Sequence, residues 1–339
     1  MAKGRLNILR CLATFVVLAL CLAVQAQDKP ADVAIAWKGL LGEYALGEDT
    51  MCVLERGGMF YILDKFGNQS ALREDDGDKF KVERASFPLA LTCVFQRGQN
   101  GTASSAVFGD RAYKRINFGG ENGESFRIKP LKSPSLLRQE ALRAIPPRED
   151  GRFAKPDLVD LIRLDSTIQL DVRYATTNNF MGEKFYSQAR AFLQRSAAEA
   201  VARVQRSLRK LGYSLLIYDA YRPWYVTKMF WDATPQAQKE FVADPAKGSR
   251  HNRGCAIDLS LFELDTGRPV EMVSGYDEFS HRAYPAYAGG TSLQRWHREL
   301  LLRAMEAEGF KVFESEWWHF DYKEWRNYPI GTATFEEIR

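Results

Sequence analysis

Ser249-Arg250-His251-Asn252-Arg253-Gly254-Cys255-Ala256-Ile257-Asp258 is the stretch on which the reading of this chain turns. A histidine and a carboxylate seven residues apart, with a glycine between them, suit two ligands of one divalent metal. On a straight strand, positions i and i+7 face opposite ways. Gly254 must therefore supply the bend that brings both side chains to one point. A third ligand has to come from far along the chain, and Glu316-Trp317-Trp318-His319 offers one. Glu316 and His319 share a face of a helix but lie on opposite faces of a flat strand. If the segment is extended, a bulge or turn must separate them. Two nitrogens, one carboxylate and a spare glutamate match a catalytic zinc site, whose fourth position stays open for water. The other two histidines, His281 in a loop and His297 in a helical run, read as ordinary packed residues.

The pattern Ser-x-His-x-x-Gly-x-Ala-x-Asp followed by Glu-Trp-Trp-His resembles the zinc peptidases that group D-Ala-D-Ala peptidases with lysostaphin-type enzymes and hedgehog. Asp171-Val172-Arg173-Tyr174-Ala175-Thr176, Asp219-Ala220-Tyr221-Arg222-Pro223 and Ser274-Gly275-Tyr276-Asp277 narrow the resemblance to the VanX-type D-alanyl-D-alanine dipeptidases. It covers roughly residues 157 to 330. A single His-x(6)-Asp is weak, but five ordered motifs are specific.

The resemblance implies one zinc ion per chain, held by His251, Asp258 and His319. Glu316 has no place among three protein ligands plus water and takes the role of general base. Arg222 is the planar, permanently charged donor for a developing oxyanion, with Asp219 as its ion-pair partner. The family pattern gives the substrate ammonium to Asp277, helped by Tyr174, and the substrate carboxylate end to Ser249. The implied substrate is the D-Ala-D-Ala dipeptide. A D,D- or L,D-carboxypeptidase acting on peptidoglycan stems is the enzymatic alternative, because pocket depth depends on the loop from Asp265 to Gly290. A non-catalytic, zinc-bearing wall-binding protein is the alternative of another class. The presence of both Glu316 and Arg222 argues against it.

The chain has 339 residues, enough for two domains, and its 45% hydrophobic content suffices for ordinary cores. Lys3, Arg5 and Arg10 precede an apolar run from Cys11 to Val24 that ends in Val24-Gln25-Ala26. This is the layout of a secretory signal cleaved after Ala26. The run is short of the ~20 apolar residues that span a membrane. Removing residues 1–26 takes away those three positive charges and no acid, so the formal net charge falls from +4 to +1. The basic balance therefore belongs to the signal and gives no warrant for nucleic-acid binding. The expectation is an exported protein, periplasmic or secreted, with no transmembrane segment left. In an oxidising compartment Cys52 and Cys93 are the candidates to pair, leaving Cys255 single, most simply as a small buried filler.

From about residue 30 to 130 the text is strand-like. Met51–Leu54 and Met59–Leu63 flank Arg56-Gly57-Gly58, and Leu91–Phe95 and Ala106–Phe108 flank Gly98-Gln99-Asn100-Gly101, which predicts two hairpins in a small β-barrel or sandwich. Gly42-Glu43-Tyr44 resembles the lipocalin-like modules appended to some secreted hydrolases, and a structural or binding accessory is expected here. Residues 131–156, punctuated by Pro134, Pro146, Pro147 and Pro156, read as a connector with a short helix around Leu136–Ala144. Residues 157–339 form the catalytic region. There Val159–Val172 reads as extended, Ser196–Leu211 and Leu293–Glu308 as amphipathic helices ended by Gly212 and Gly309, Tyr213–Tyr218 as a core strand, and Lys311–Tyr322 as a strand. The order predicts an α+β fold, and the resemblance implies a central antiparallel sheet with helices against it and the metal at its open face.

Overall fold

Alternating apolar and polar residues build the first half of the protein, as seen in β5 (Lys79–Glu83), where Phe80 and Val82 point inward and the three lysine and glutamate side chains point out. The computed structural model describes residues 28–83, 91–119 and 125–338; the signal segment expected over residues 1–26 lies outside them. After a one-turn helix α1 (Ile35–Lys38), the strands β1 (Gly42–Leu46), β2 (Asp49–Arg56), β3 (Met59–Asp64), β4 (Gln69–Asp76), β5, β6 (Leu91–Arg97), β7 (Ala103–Phe108) and β8 (Arg111–Arg115) follow one another around a closed antiparallel barrel. Closure comes from β1 pairing with β8, Tyr44 opposite Arg115. Both expected hairpins are present, β2–β3 around Gly57-Gly58 and β6–β7 around Gly98–Gly101.

The barrel interior is filled. Tyr44, Phe60, Phe80 and Phe95 form a chain of ring contacts 5.6–5.8 Å apart, and Trp37 of α1 packs on Phe60 at 4.5 Å. Among the described residues the barrel holds a core of packed side chains. Cys52 and Cys93 do not pair, contrary to expectation; all three cysteines of the described residues are free thiols. Strands β2 and β6 are not neighbours, Cys93 lies in the barrel core, and the Cys52 sulfur faces Tyr287 at 3.7 Å.

The second half is α+β. Its six-stranded sheet runs β10 (Gln169–Leu170), β12 (Tyr213–Asp219), β13 (Ala256–Glu263), β16 (Glu316–Tyr322), β15 (Phe310–Phe313), with β14 (Arg268–Pro269) also on β13. All pairs are antiparallel except β10–β12. A parallel pair needs a long crossover, and helix α4 (Arg195–Arg209) supplies it. Val159–Val172 is not one extended segment. β9 (Leu158–Asp160) pairs with β11 (Phe192–Gln194), and then Asp160 caps the single turn α3 (Leu161–Leu164) through the Ile162 N–H. Lys311–Tyr322 is likewise two strands, β15 and β16, joined by a tight turn.

Helix α4 buries Ala197, Val201, Val204 and Leu208 along one face and ends at Arg209, three residues before Gly212 turns the chain in the left-handed conformation, φ 84°. α6 (Ser292–Glu306) opens with a capping box between Thr291 and Gln294. The expected connector does more than link: its helix α2 (Pro134–Arg143) buries Leu137 and Ala141 in the same core that holds α5 (Trp224–Ala233). No helix among the described residues is long and apolar enough to cross a membrane.

Candidate metal centre and active site

Three adjacent strand ends and one tight turn build the site. His251 starts a single 3-10 turn, His251–Arg253, which Gly254 closes at φ 65° before the chain enters β13. A Cβ on Gly254 would stand 2.5 Å from Leu158 Cδ2 and 3.3 Å from the Gln194 backbone nitrogen, so a side chain there would displace its neighbours as well as strain the backbone. Asp258, the third residue of β13, stands opposite His319 of β16 on one side and Asp219 of β12 on the other. Directly opposed residues of antiparallel strands project from the same face, which puts a carboxylate and an imidazole side by side. The register between β15 and β16 shifts between the Phe313–Glu316 and Val312–Phe320 pairs. That irregularity lets Glu316 and His319 approach across one strand, to 3.7 Å.

His251 Nε2, His319 Nδ1 and Asp258 Oδ1 converge at separations of 3.1, 3.3 and 3.0 Å. The outer nitrogens fix which atoms face inward. His251 Nδ1 donates to the Ala220 carbonyl at 2.6 Å, and His319 Nε2 donates to Asp321 Oδ1 at 3.0 Å. A neutral imidazole has one donor and one acceptor nitrogen, so both inner nitrogens present lone pairs. Asp258 Oδ1 is buried and accepts no hydrogen bond, while Oδ2 accepts from Tyr276 at 3.0 Å. Three lone pairs facing one another, 2–7% exposed, call for a cation. Zinc bonds of about 2.05 Å in a tetrahedron place ligand atoms about 3.3 Å apart, close to the separations seen. The donor set therefore fits zinc. Burial opposes charge on His319, yet Asp321 and Asp258 raise its pKa to about 10, and the same negative surroundings favour a cation beside its inner nitrogen. Burial would raise Asp258 too, but His251 and His319 hold it well below the usual carboxylate range.

Around this centre lies a cavity of about 400 Å³, within the range of small-molecule sites. His251, Asp258, His319, Glu316, Arg222, Tyr174, Ser249 and Asp277, the eight residues singled out from the sequence, all line it. Burial pushes the Glu316 carboxyl up to about 7, with His319 pulling the other way. Arg222 is held by Asp219 through Nε at 2.9 Å and Nη2 at 2.8 Å, and its guanidinium lies over Tyr174 and Phe230. Asp219 also accepts from Tyr186 at 2.7 Å. Tyr174 Oη donates to the Asp277 carboxylate, 3.0 Å from both oxygens. Asp277 has φ 59°, the one positive φ outside glycine among the described residues. Strain of this kind persists where surrounding structure imposes it and clusters at functional sites. Burial, reinforced by Asp258, pushes its carboxyl well above the usual range. Ser249 Oγ accepts from the His251 N–H at 3.2 Å, so it also braces the metal turn.

Two residues of the site escaped the sequence reading. Asp321, which orients His319, carries a signal that was there to be used: it lies two residues on in a strand, hence on the same face. Tyr276, which holds the outer oxygen of Asp258, sits inside a quoted motif, but nothing in the sequence says that its hydroxyl reaches β13. His281 and His297 lie away from the centre, His281 on Glu43 and His297 on Tyr213. Cys255 is buried, with its thiol raised to about 12 by burial, and takes no part in the cluster.

Residues 154–329 match the peptidase M15 family, described as D-ala-D-ala dipeptidase. The chain is 36% identical over 179 residues to a D-alanyl-D-alanine dipeptidase of Escherichia coli K12, an alignment covering 53% of this chain and 91% of the relative. It is 32% identical over 171 residues to one from Enterococcus faecalis, covering 45% and 85%. A third, from Streptomyces coelicolor, is 30% identical over 192 residues, covering 51% and 93%. The family match begins after the barrel, and what remains of the E. coli relative is too short to contain eight strands.

Proposed function

The chain belongs to the D-Ala-D-Ala dipeptidase family of metallopeptidases, and from that premise we propose that it hydrolyses free D-alanyl-D-alanine to two D-alanines, using one zinc ion held by His251, Asp258 and His319. When bound, zinc supplies Lewis acidity: it polarises a carbonyl and makes a water acidic enough to attack near neutral pH. Glu316 accepts the proton of the attacking water on its carboxylate and delivers it to the nitrogen of the leaving amine. A carboxyl with a pKa near neutrality suits both transfers. Arg222, locked by Asp219, donates to the oxygen on which negative charge develops. Asp277 and Tyr174 receive the substrate ammonium, and its positive charge stabilises the ionised carboxylate that burial disfavours. Ser249 receives the carboxylate end.

The observation that carries this reading is the convergence of three buried lone pairs at one wall of a cavity whose other walls hold Glu316, Arg222 and Asp277. The test is Glu316→Gln, assayed for zinc content and for turnover of D-Ala-D-Ala. Zinc should stay and kcat should fall at least ~10²-fold; near-normal kcat with zinc in place removes Glu316 from the chemistry. We further propose that residues 1–26 export the enzyme, that it recovers D-alanine from cell-wall material, and that the barrel over residues 30–130 is an accessory to the dipeptidase region over 157–339. A mature N-terminus at Gln27 in material isolated from outside the cytoplasm supports export, and retention of residues 1–26 argues against it.

A further inference from the structure

The loop that brings Asp277 to the active site is the same loop that the barrel grips. Between β14 and α6 the chain runs from Val270 to Thr291 with one short 3-10 turn, His281–Ala283. Its first half serves the site: Tyr276 donates to Asp258, Asp277 accepts from Tyr174, and Phe279 lines the cavity. Its second half is tied to the barrel by three residues of β1 and β2. Glu43 of β1, 8% exposed, meets His281 Nε2 at 2.7 Å. Cys52 of β2 meets the Tyr287 hydroxyl at 3.7 Å. Glu55 of β2, 1% exposed, makes the strongest tie. Its N–H donates to the Gly290 carbonyl at 3.0 Å, and its carboxylate accepts from the Ser292 N–H at 2.6 Å and the Ser292 hydroxyl at 3.2 Å. Its own carbonyl accepts from Arg295, whose other nitrogen donates to the carbonyls of Ala288, Gly289 and Gly290.

A loop of this length without regular structure loses much conformational freedom when fixed. The strained backbone at Asp277 also has to be imposed from outside the loop. A carboxylate at the start of α6 adds a charge favoured by the helix dipole. Glu55 therefore holds both the end of the loop and the helix that follows it.

We propose that the barrel is a brace for substrate recognition, with Glu55 and Glu43 as positioning residues that hold the Asp277 loop in its binding geometry. This rests on the dipeptidase reading for its kinetic consequence, though not for its structural one. If the braced state falls to about a tenth of the population, apparent affinity for the dipeptide falls about tenfold. The chemical groups Glu316 and Arg222 and the three metal-facing residues lie on β13, β16 and the turns that follow β12 and precede β13, and the loop meets them only through Tyr276 on the outer oxygen of Asp258, so kcat should change little.

The experiment compares the full chain with Glu55→Ala and Glu43→Gln in two measurements. Amide hydrogen exchange should speed up across residues 275–291 in both variants, with β13 and β16 unchanged, and this readout does not depend on activity. KM for D-Ala-D-Ala should rise about tenfold for Glu55→Ala, with kcat within about threefold and zinc content unaltered. Unchanged loop exchange in both variants overturns the brace, as does a fall in kcat at constant KM. If Glu55→Ala does not fold, Glu43→Gln, which keeps the side-chain size against the half-exposed His281 ring, decides by the same two readouts. An inert wild type with exchange as expected would contradict the dipeptidase reading and leave the brace standing.

Discussion

Removing the Asp321 carboxylate should weaken zinc binding without touching a ligand. The carboxylate accepts from His319 Nε2 at 3.0 Å and pairs with Arg250 through its other oxygen at 3.3 Å. The two side chains are 14% and 9% exposed, so solvent screens the interaction little. Burial alone would raise the Asp321 pKa, yet His319 holds it below the usual carboxylate range, so the charge is present. Loss of such an outer partner costs about 10–100-fold in metal affinity, or roughly 1.4–2.7 kcal/mol. Asp321→Asn keeps an acceptor and loses only the charge, so it belongs near tenfold. Asp321→Ala loses both and frees the ring to rotate, so it belongs near a hundredfold. Zinc dissociation constants from competition with a chromophoric chelator, at two pH values because protons compete for His319, measure the effect. An Asp321→Ala affinity within twofold of wild type would refute the assignment of His319 Nδ1 as the inward ligand atom.

Two further outcomes follow from the same geometry. Asp277→Asn should raise KM for the dipeptide by an order of magnitude or more with kcat nearly kept, whereas Arg222→Ala should lower kcat by about 10²–10³, and steady-state kinetics on the two variants separate ground-state from transition-state contacts. Burial, with Lys29 nearby, pushes His297 down to about 4. A histidine with a lowered folded pKa stabilises the fold fully above its ordinary value of about 6.5, and that contribution fades as pH falls toward 4, by at most about 1.4 kcal/mol per unit. Urea unfolding at pH 7 and 4.5 should therefore show a smaller acid loss in His297→Gln than in wild type, and equal losses in both would count against the assignment.

The site was more legible than the architecture around it. His251, Gly254 and Asp258 are close in sequence, and their chemistry constrains the backbone between them. The partnership of Asp258 with His319 depends instead on strand register, which arises from packing across the sheet and leaves no local mark. The same holds for Tyr276 and for the barrel's closure: period-two alternation names strands but not which edges meet. Cys52 and Cys93 show the cost of reading spacing without register, since each belongs to a strand whose neighbours exclude the other. Val159–Val172 failed for a local reason, because Asp160 before an apolar run is an N-cap signal that the extended reading passed over. The brace could not be read at all from sequence, because Glu55 and Ser292 lie 237 positions apart.

The most direct test of the account strips the purified protein with a chelator, restores one equivalent of zinc, and follows free D-alanine from three substrates. These are D-Ala-D-Ala, L-Ala-L-Ala and a peptidoglycan stem pentapeptide ending in D-Ala-D-Ala. The account predicts D-alanine from the free D,D-dipeptide only, appearing with zinc and absent without it. Release from the pentapeptide while the dipeptide stays intact, or no release from any of the three with zinc bound, would contradict it.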